Sequence, residues 1–160
     1  MFIRVGLGYD SHRFVEGRPC ILAGQHLPHD RGLAGHSDAD AVAHAVTDAV
    51  LGAAGLGDIG ALFPDTDAAW KDADSMRLLA MAMERVLAAG WHIGNLDCVV
   101  ITERPKIGPH AAAMAAALAE VLRCAPGQIG IKGKTNETMG FTGRNEGLAV
   151  IATVLLESAA

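Results

Sequence analysis

The stretch His36-Ser37-Asp38-Ala39-Asp40-Ala41-Val42-Ala43-His44 places two histidines, two aspartates and a serine within nine positions at the head of an apolar run. Ser37, followed three residues later by Asp40, reads as a capping-box variant, so the spacing predicts a helix that begins near Asp38 and continues through Leu51. On that helix Asp40, His44, Thr47, Asp48 and Leu51 share one face, while Ala39, Val42, Ala43, Val46, Ala49, Val50 and Ala53 form the opposite, core-facing one. His44 then projects away from the core with Asp40 and Asp48 one turn to either side. At that distance a carboxylate can orient an imidazole and fix its tautomer for a metal. A capped helix with a solvated polar face is the plain alternative.

On the N-terminal side, Phe2 to His12 reads as a strand, and at a period of two Asp10 and His12 fall on one face. With His44 they make one oxygen and two nitrogens. Three such protein ligands leave one tetrahedral position open, which is the pattern of a catalytic rather than a structural zinc. An exposed strand end beside a capped helix is the reading that spacing alone leaves open. Gly6-Leu7-Gly8 lacks the third glycine of a dinucleotide fingerprint, since Ser11 stands where it is required, and that reading is discarded.

The 160 residues, 51% hydrophobic, 19% charged and 4% aromatic, suit one Ala/Val/Leu-rich α/β domain spanning residues 1–160. Mean hydropathy is +0.27, yet no apolar run approaches the ~18 residues of a membrane span. The apolar surplus points instead to a covered subunit interface. The chain enters its first strand without a leader pattern, and Cys20, Cys98 and Cys124 form no C-x-x-C pair. A cytoplasmic chain with buried thiols is the expectation. A net charge of -5 disfavours nucleic acid as a partner. The bases Arg104, Lys106, Arg123, Lys132, Lys134 and Arg144 nevertheless cluster in a segment whose acids are Glu120 and Glu137, whereas most acids lie within residues 1–80. An acidic, metal-holding half and a basic half suit a phosphorylated substrate.

Pro19 to Leu22 and Gln25 to Pro28 read as a hairpin about Ala23-Gly24, followed by a turn at His29 to Gly32. His26, His29, His92 and His110 read as surface residues. Gly55 to Asp67, rich in glycine and aspartate, reads as a loop able to fold over a ligand, because Ile59 and Phe63 are costly side chains to leave in a mere linker. Asp74 or Ser75 caps a second helix that ends at Gly90, Ile93 to Thr102 is a buried strand, and Pro109 opens a third helix running to Ala125. Ile129 to Thr135 and Gly147 to Glu157 are strands joined by a polar loop. Gly133-Lys134-Thr135 fails as a phosphate loop, since Gln128 occupies the place of its first glycine and no helix follows. The glycines, hydroxyls and Arg144 of this loop still suit an anion nest.

Four motifs occur in one order: Gly8-Tyr9-Asp10-Ser11-His12; His36-Ser37-Asp38-Ala39-Asp40 with His44; Gly57-Asp58-Ile59-Gly60-Ala61-Leu62-Phe63-Pro64-Asp65-Thr66-Asp67; and Gly140-Phe141-Thr142-Gly143-Arg144 with Glu146-Gly147. Together they closely resemble the 2-C-methyl-D-erythritol 2,4-cyclodiphosphate synthase family of the non-mevalonate isoprenoid pathway, over residues 3–157. The resemblance implies an α/β fold of the α+β type, a single domain with a four-stranded mixed sheet covered by helices on one face, assembled as a homotrimer with sites shared between subunits. It implies zinc, or another divalent transition metal, on Asp10, His12 and His44. His36 and Ser37 would hold the 2-phosphate, Asp58-Ile59-Gly60 the erythritol portion, and Phe63, Pro64, Asp65, Thr66 and Asp67 would be the flap. The neighbouring subunit would bring Thr102, Glu103, Arg104, Pro105, Lys106, Ile107 and Gly108 to the cytosine, and Lys134, Thr135, Asn136 and Glu137 to the phosphates. Glu137 would bind magnesium or manganese. Tyr9, Phe141, Arg144 and Glu146 would surround a central cavity. Lys134, Tyr9 and Asn136 depart mildly from the family's pattern.

The chemistry so implied is a phosphorus–oxygen lyase reaction. The 2-phosphate of 4-diphosphocytidyl-2-C-methyl-D-erythritol 2-phosphate attacks the β-phosphorus and CMP leaves, with His36 and Thr135 as the catalytic groups and no protein nucleophile. Two readings compete. A zinc-dependent phosphohydrolase needs a base near the metal, for which Asp40 or Asp58 are candidates. A non-catalytic trimer that binds isoprenoid diphosphates needs neither flap nor metal residues.

Overall fold

The structure is a computed structural model that describes residues 1–158. Its elements are β1 (Ile3–Val15), β2 (Cys20–Leu22), β3 (Gln25–Leu27), β4 (Gly32–Leu33), α1 (Ala41–Ala54), α2 (Ile59–Leu62), α3 (Ser75–Ala88), β5 (Trp91–Ile101), α4 (Ala111–Leu122), β6 (Ile129–Lys134), α5 (Gly140–Gly143) and β7 (Gly147–Ser158), with short 3-10 turns at Ala68–Trp70, Gly108–His110 and Pro126–Gln128. β2 and β3 form the expected hairpin. The remaining strands make one mixed sheet in the order β4-β1-β7-β5-β6. The sheet therefore has five strands where four are expected. The fifth, β4, is a two-residue strand pairing Phe14 and Val15 with Leu33 and Gly32, too short to show any alternation in sequence. Only β5 and β6 run parallel, and α4 provides the crossover between them.

The sheet has two unlike faces. Leu148, Val150, Ala152, Val154 and Leu156 of β7 and Leu96, Cys98 and Val100 of β5 are buried beneath the helices, where α1 packs on β1 and β7 and α3 packs on α1. On the other face Val5, Leu7, Tyr9 and Ile151 stand exposed. Gly6 and Gly8 settle how closely helix and strand approach. A Cβ on Gly8 would overlap the Ala45 carbonyl oxygen, and one on Gly6 that of Ala49. The backbone of α1 rests directly on β1, which carries His44 to the strand that bears Asp10 and His12.

α1 starts later than the sequence spacing suggests. Asp40, not Ser37, is its N-cap, and Gly55 closes it in a left-handed conformation at φ 74°. The polar face is also narrower. Thr47 and Leu51 are buried, and the Thr47 hydroxyl donates to the Ala43 carbonyl at 2.7 Å, because α3 covers that side. α3 is capped by Asp74. The ligand-covering loop expected at Gly55 to Asp67 and the polar loop expected before Gly147 contain α2 and α5, each one turn long. Of the histidines expected at the surface, His26 and His92 are exposed, whereas the side chain of His29 is 7% exposed and stacks on Phe14. Cys20 and Cys98 are buried, and burial pushes their thiols up to about 11 and about 12, so they are inert core residues.

Candidate metal centre and substrate pocket

β1 presents Asp10 and His12 on its inner face and α1 brings His44 against them. Asp10 Oδ2 lies 2.8 Å from His12 Nε2 and 3.1 Å from His44 Nδ1, and the two nitrogens are 3.2 Å apart. Donors bound at 2.0–2.1 Å to a tetrahedral ion lie roughly 3.3 Å from one another. The three atoms are thus placed almost as a zinc-sized cation requires, and among the described residues they form the metal-competent cluster of the chain.

The proton positions agree with this. His12 Nδ1 faces the Ala34 carbonyl oxygen at 2.6 Å and must donate to it, which leaves Nε2 to face the Asp10 carboxylate. A lone pair opposite a carboxylate is repulsive, so a proton or a metal cation belongs between them. Burial pushes the Asp10 carboxyl up, but its contacts with His12 and His44 outweigh this and bring it down to about 2. Burial likewise pulls the His12 imidazole down, and Asp10 more than reverses it, leaving its pKa raised.

The orientation of His44 departs from expectation. Asp40 does not serve it. Its carboxylate is fully buried and accepts the backbone N–H groups of Ala23, Gly24 and Ala43 at 2.8–3.0 Å. Asp48 is spent on the N–H of Ile59 at 2.8 Å. Hydroxyls take their place: His44 Nε2 lies 2.8 Å from Ser75 Oγ and 3.0 Å from Ser37 Oγ. Ser75 reads in sequence only as a helix-end residue, and no periodicity links it to His44, 31 positions away.

His12 and His44 line a cavity of about 490 Å³ together with His36, Ser37, Ile59, Gly60, Phe63, Pro64 and Asp65. Trp70 and Leu78, which the sequence does not single out, complete it, and Trp70 meets Phe63 edge-on with ring centroids 5.0 Å apart. His36 Nε2 reaches the Asp67 carbonyl oxygen at 3.2 Å, tying the segment expected as the flap to the cavity rim. Asp58 and Asp67 use their side chains as caps, of α2 and of the 68–70 turn, and Thr66 lies outside the lining.

The second group of expected residues lies elsewhere on the chain. Thr102, Pro105, Lys106, Ile107, Gly108, Lys134 and Thr135 line a separate cavity of about 410 Å³ between β5, β6 and the start of α4. Beside it Glu137 and Thr138 are consecutive left-handed residues at φ 52° and 64°. The Glu103 carboxylate holds them by accepting the N–H groups of Asn136 and Thr138 at 3.2 and 3.1 Å. Arg104 is exposed. Phe141 and Glu146 border a third recess next to β1, where Arg144 Nε donates to Glu146 at 2.8 Å. Within one chain the Asp10–His12–His44 cluster and the Thr102–Thr135 cavity do not share a lining residue.

The model of the YgbB family matches residues 3–157. A protein of Gemmatimonas aurantiaca named 2-C-methyl-D-erythritol 2,4-cyclodiphosphate synthase is 60% identical over 98% of this chain and 94% of its own. A solved structure of a 2C-methyl-D-erythritol-2,4-cyclodiphosphate synthase in a CDP-bound form superposes with a TM-score of 0.88 at 43% identity, covering 96% of this chain and 100% of that one. The bifunctional IspDF of Campylobacter jejuni matches with a TM-score of 0.95 at 44% identity, over 99% of this chain and 43% of that longer one.

Proposed function

This chain belongs to the YgbB family, and from that membership and the names of its relatives we propose that it is a phosphorus–oxygen lyase that cyclises 4-diphosphocytidyl-2-C-methyl-D-erythritol 2-phosphate to 2-C-methyl-D-erythritol 2,4-cyclodiphosphate with release of CMP. The observation that carries this reading is the convergence of Asp10 Oδ2, His12 Nε2 and His44 Nδ1 at a cavity walled by His36, Ser37 and the Ile59–Asp65 segment.

In the reaction an oxygen of the 2-phosphate forms a bond to the β-phosphorus while the bond from that phosphorus to the bridging oxygen breaks, and the bridging oxygen departs with CMP. The obstacle is the mutual repulsion of two polyanionic groups, so the work is electrostatic and positional. A zinc ion held by Asp10, His12 and His44 and a magnesium or manganese ion held by Glu137 supply charge neutralisation and Lewis acidity when bound. His36 and Ser37 hold the 2-phosphate at the rim of the cavity. The Ile59-Gly60 backbone meets the erythritol portion, and Phe63, backed by Trp70, excludes water from it. Lys134 and Thr135 of the second cavity steady charge on the diphosphate, and the Thr102–Gly108 backbone beside them receives the cytosine. Holding the two phosphates in a near-attack arrangement supplies up to ~7–11 kcal/mol of the barrier reduction.

Two half-sites that share no lining residue within the chain become one site if subunits meet. A homotrimer with sites between neighbours satisfies this, and the exposed apolar face of Val5, Leu7, Tyr9 and Ile151 supports it. The hydrolase reading loses Asp40 as a base, since it is buried on backbone amides, and Asp58 lies outside the lining of the cavity that holds His12 and His44.

Incubation of the chain with the cytidylated substrate and magnesium, followed through its phosphorus resonances, tests the assignment. The expected result is the cyclic diphosphate and CMP without uptake of labelled water oxygen, and neither product from His44→Ala, which also loses zinc. Linear, oxygen-labelled products, or full turnover by metal-free His44→Ala, would overturn it.

A further inference from the structure

His44 can offer Nδ1 to a metal only while its proton sits on Nε2, and the groups around Nε2 decide where that proton goes. The Asp38 carboxylate accepts the Ser75 hydroxyl proton at Oδ1 and the Ser75 backbone N–H at Oδ2, the latter at 3.2 Å. With its proton given to Asp38, Ser75 Oγ is left as an acceptor, 2.8 Å from His44 Nε2, so the ring must be the donor. Ser37 Oγ stands 3.2 Å from Ser75 Oγ and 3.0 Å from His44 Nε2, so Ser75 makes the shorter of the ring's two hydroxyl contacts. Ser75 is 1% exposed and Ser37 7%, so bulk water does not compete for these contacts.

We propose that Ser75, with Asp38 behind it, is a positioning residue that holds His44 in the Nε2–H tautomer and turns Nδ1 towards Asp10 and His12. The inference rests on reading those three residues as metal ligands. It is the carboxylate–histidine–metal arrangement with one hydroxyl interposed. Capping alone does not explain it, because the end of α3 has its own cap in Asp74, which accepts the Met76 N–H at 2.9 Å.

The test is zinc affinity of the full-length chain by competition with a chromophoric chelator, together with the imidazole nitrogen resonances of His44 in the zinc-stripped chain. Ser75→Ala is expected to weaken zinc binding by about ten- to a hundredfold and to shift His44 towards the Nδ1–H form. Asp38→Asn should move both readouts the same way by less, and the double variant should be no weaker than Ser75→Ala. Asp74→Ala disturbs the same helix end without touching the relay and should bind zinc as the parent does. Parental zinc affinity and tautomer in Ser75→Ala overturn the proposal, as does a double variant weakened by the product of the two single effects. Should Ser75→Ala fail to fold, parental behaviour of Asp38→Asn is the overturning result. Zinc held equally tightly by Asp10→Asn, or not at all by the parent chain, would instead sink the metal-centre reading, and the relay with it.

Discussion

Asp40 shows how one side chain can be essential to a site without touching it. Its carboxylate ties the turn of the β2–β3 hairpin to the first turn of α1 through three backbone N–H groups, in a position with no solvent exposure. Burial pushes this carboxyl from 3.8 up to about 6, against the pull of those donors and with the charge of Asp38 adding to the rise. Between these values the folded chain keeps a proton that the unfolded chain has released. The stability owed to this group is therefore fully present below about pH 4 and declines as the pH rises to about 6, by up to roughly 3 kcal/mol. A carbon-13 titration should place the Asp40 midpoint near 6, and urea unfolding across this window should lose the corresponding slope in Asp40→Asn. A midpoint near 4 would contradict the assignment. Asp40→Ala strands the buried N–H groups of Ala23 and Ala43 and releases that of Gly24, and an unfolding free energy lower by about 2–4 kcal/mol is expected.

At the scale of elements, the contact of α1 with β1 places the proposed metal ligands. Gly8→Ala sets a methyl against the Ala45 carbonyl, next in sequence to His44. The helix must lift or the strand must bend. A loss of about 3 kcal/mol or more is expected, together with weaker zinc binding in whatever fraction folds. Thermal unfolding and chelator competition check it, and parental values in both would show that the contact yields without cost. This contact also marks the limit of what the sequence discloses. Period-two spacing puts Asp10 and His12 on one face, and a helical run carries His44, so the ligand set is legible. Gly6 and Gly8 carry no signal that tells close packing from a failed nucleotide motif. The start of α1 is misplaced by the capping pattern because Asp40 satisfies the cap rule as well as Ser37 does, and only the fold of the hairpin onto Asp40 decides between them. Ser75 stays hidden for a related reason. A serine at the start of a helix has a sufficient local explanation, and its contact with His44 arises from the packing of α3 on α1.

At the scale of the whole molecule, two facts ask for the same resolution. The metal cluster and the Thr102–Thr135 cavity lie apart on one chain, yet the proposed reaction needs both at one substrate. The outer face of the sheet exposes Val5 and Leu7 at 67% each and Tyr9 at 55%, and a run of alternating apolar residues of that kind is seldom left to water. In the proposed homotrimer, association through this face would remove the apolar surface and bring one subunit's His36 towards the next subunit's Glu137. The consequence is complementation. His36→Ala and Glu137→Ala chains should each be inactive as homotrimers, because every site lacks one of the two groups. When they are mixed during refolding, a site that takes its flap side from the Glu137→Ala chain and its phosphate loop from the His36→Ala chain is intact. Random assembly makes such sites roughly one in four. Activity near a quarter of the parental value in the whole mixture, and near a third in trimers shown by native mass spectrometry to contain both chains, is the expected result. Mixed trimers as inactive as the parents would place all the catalytic groups of a site on one subunit, leaving the separation of the two cavities without a function.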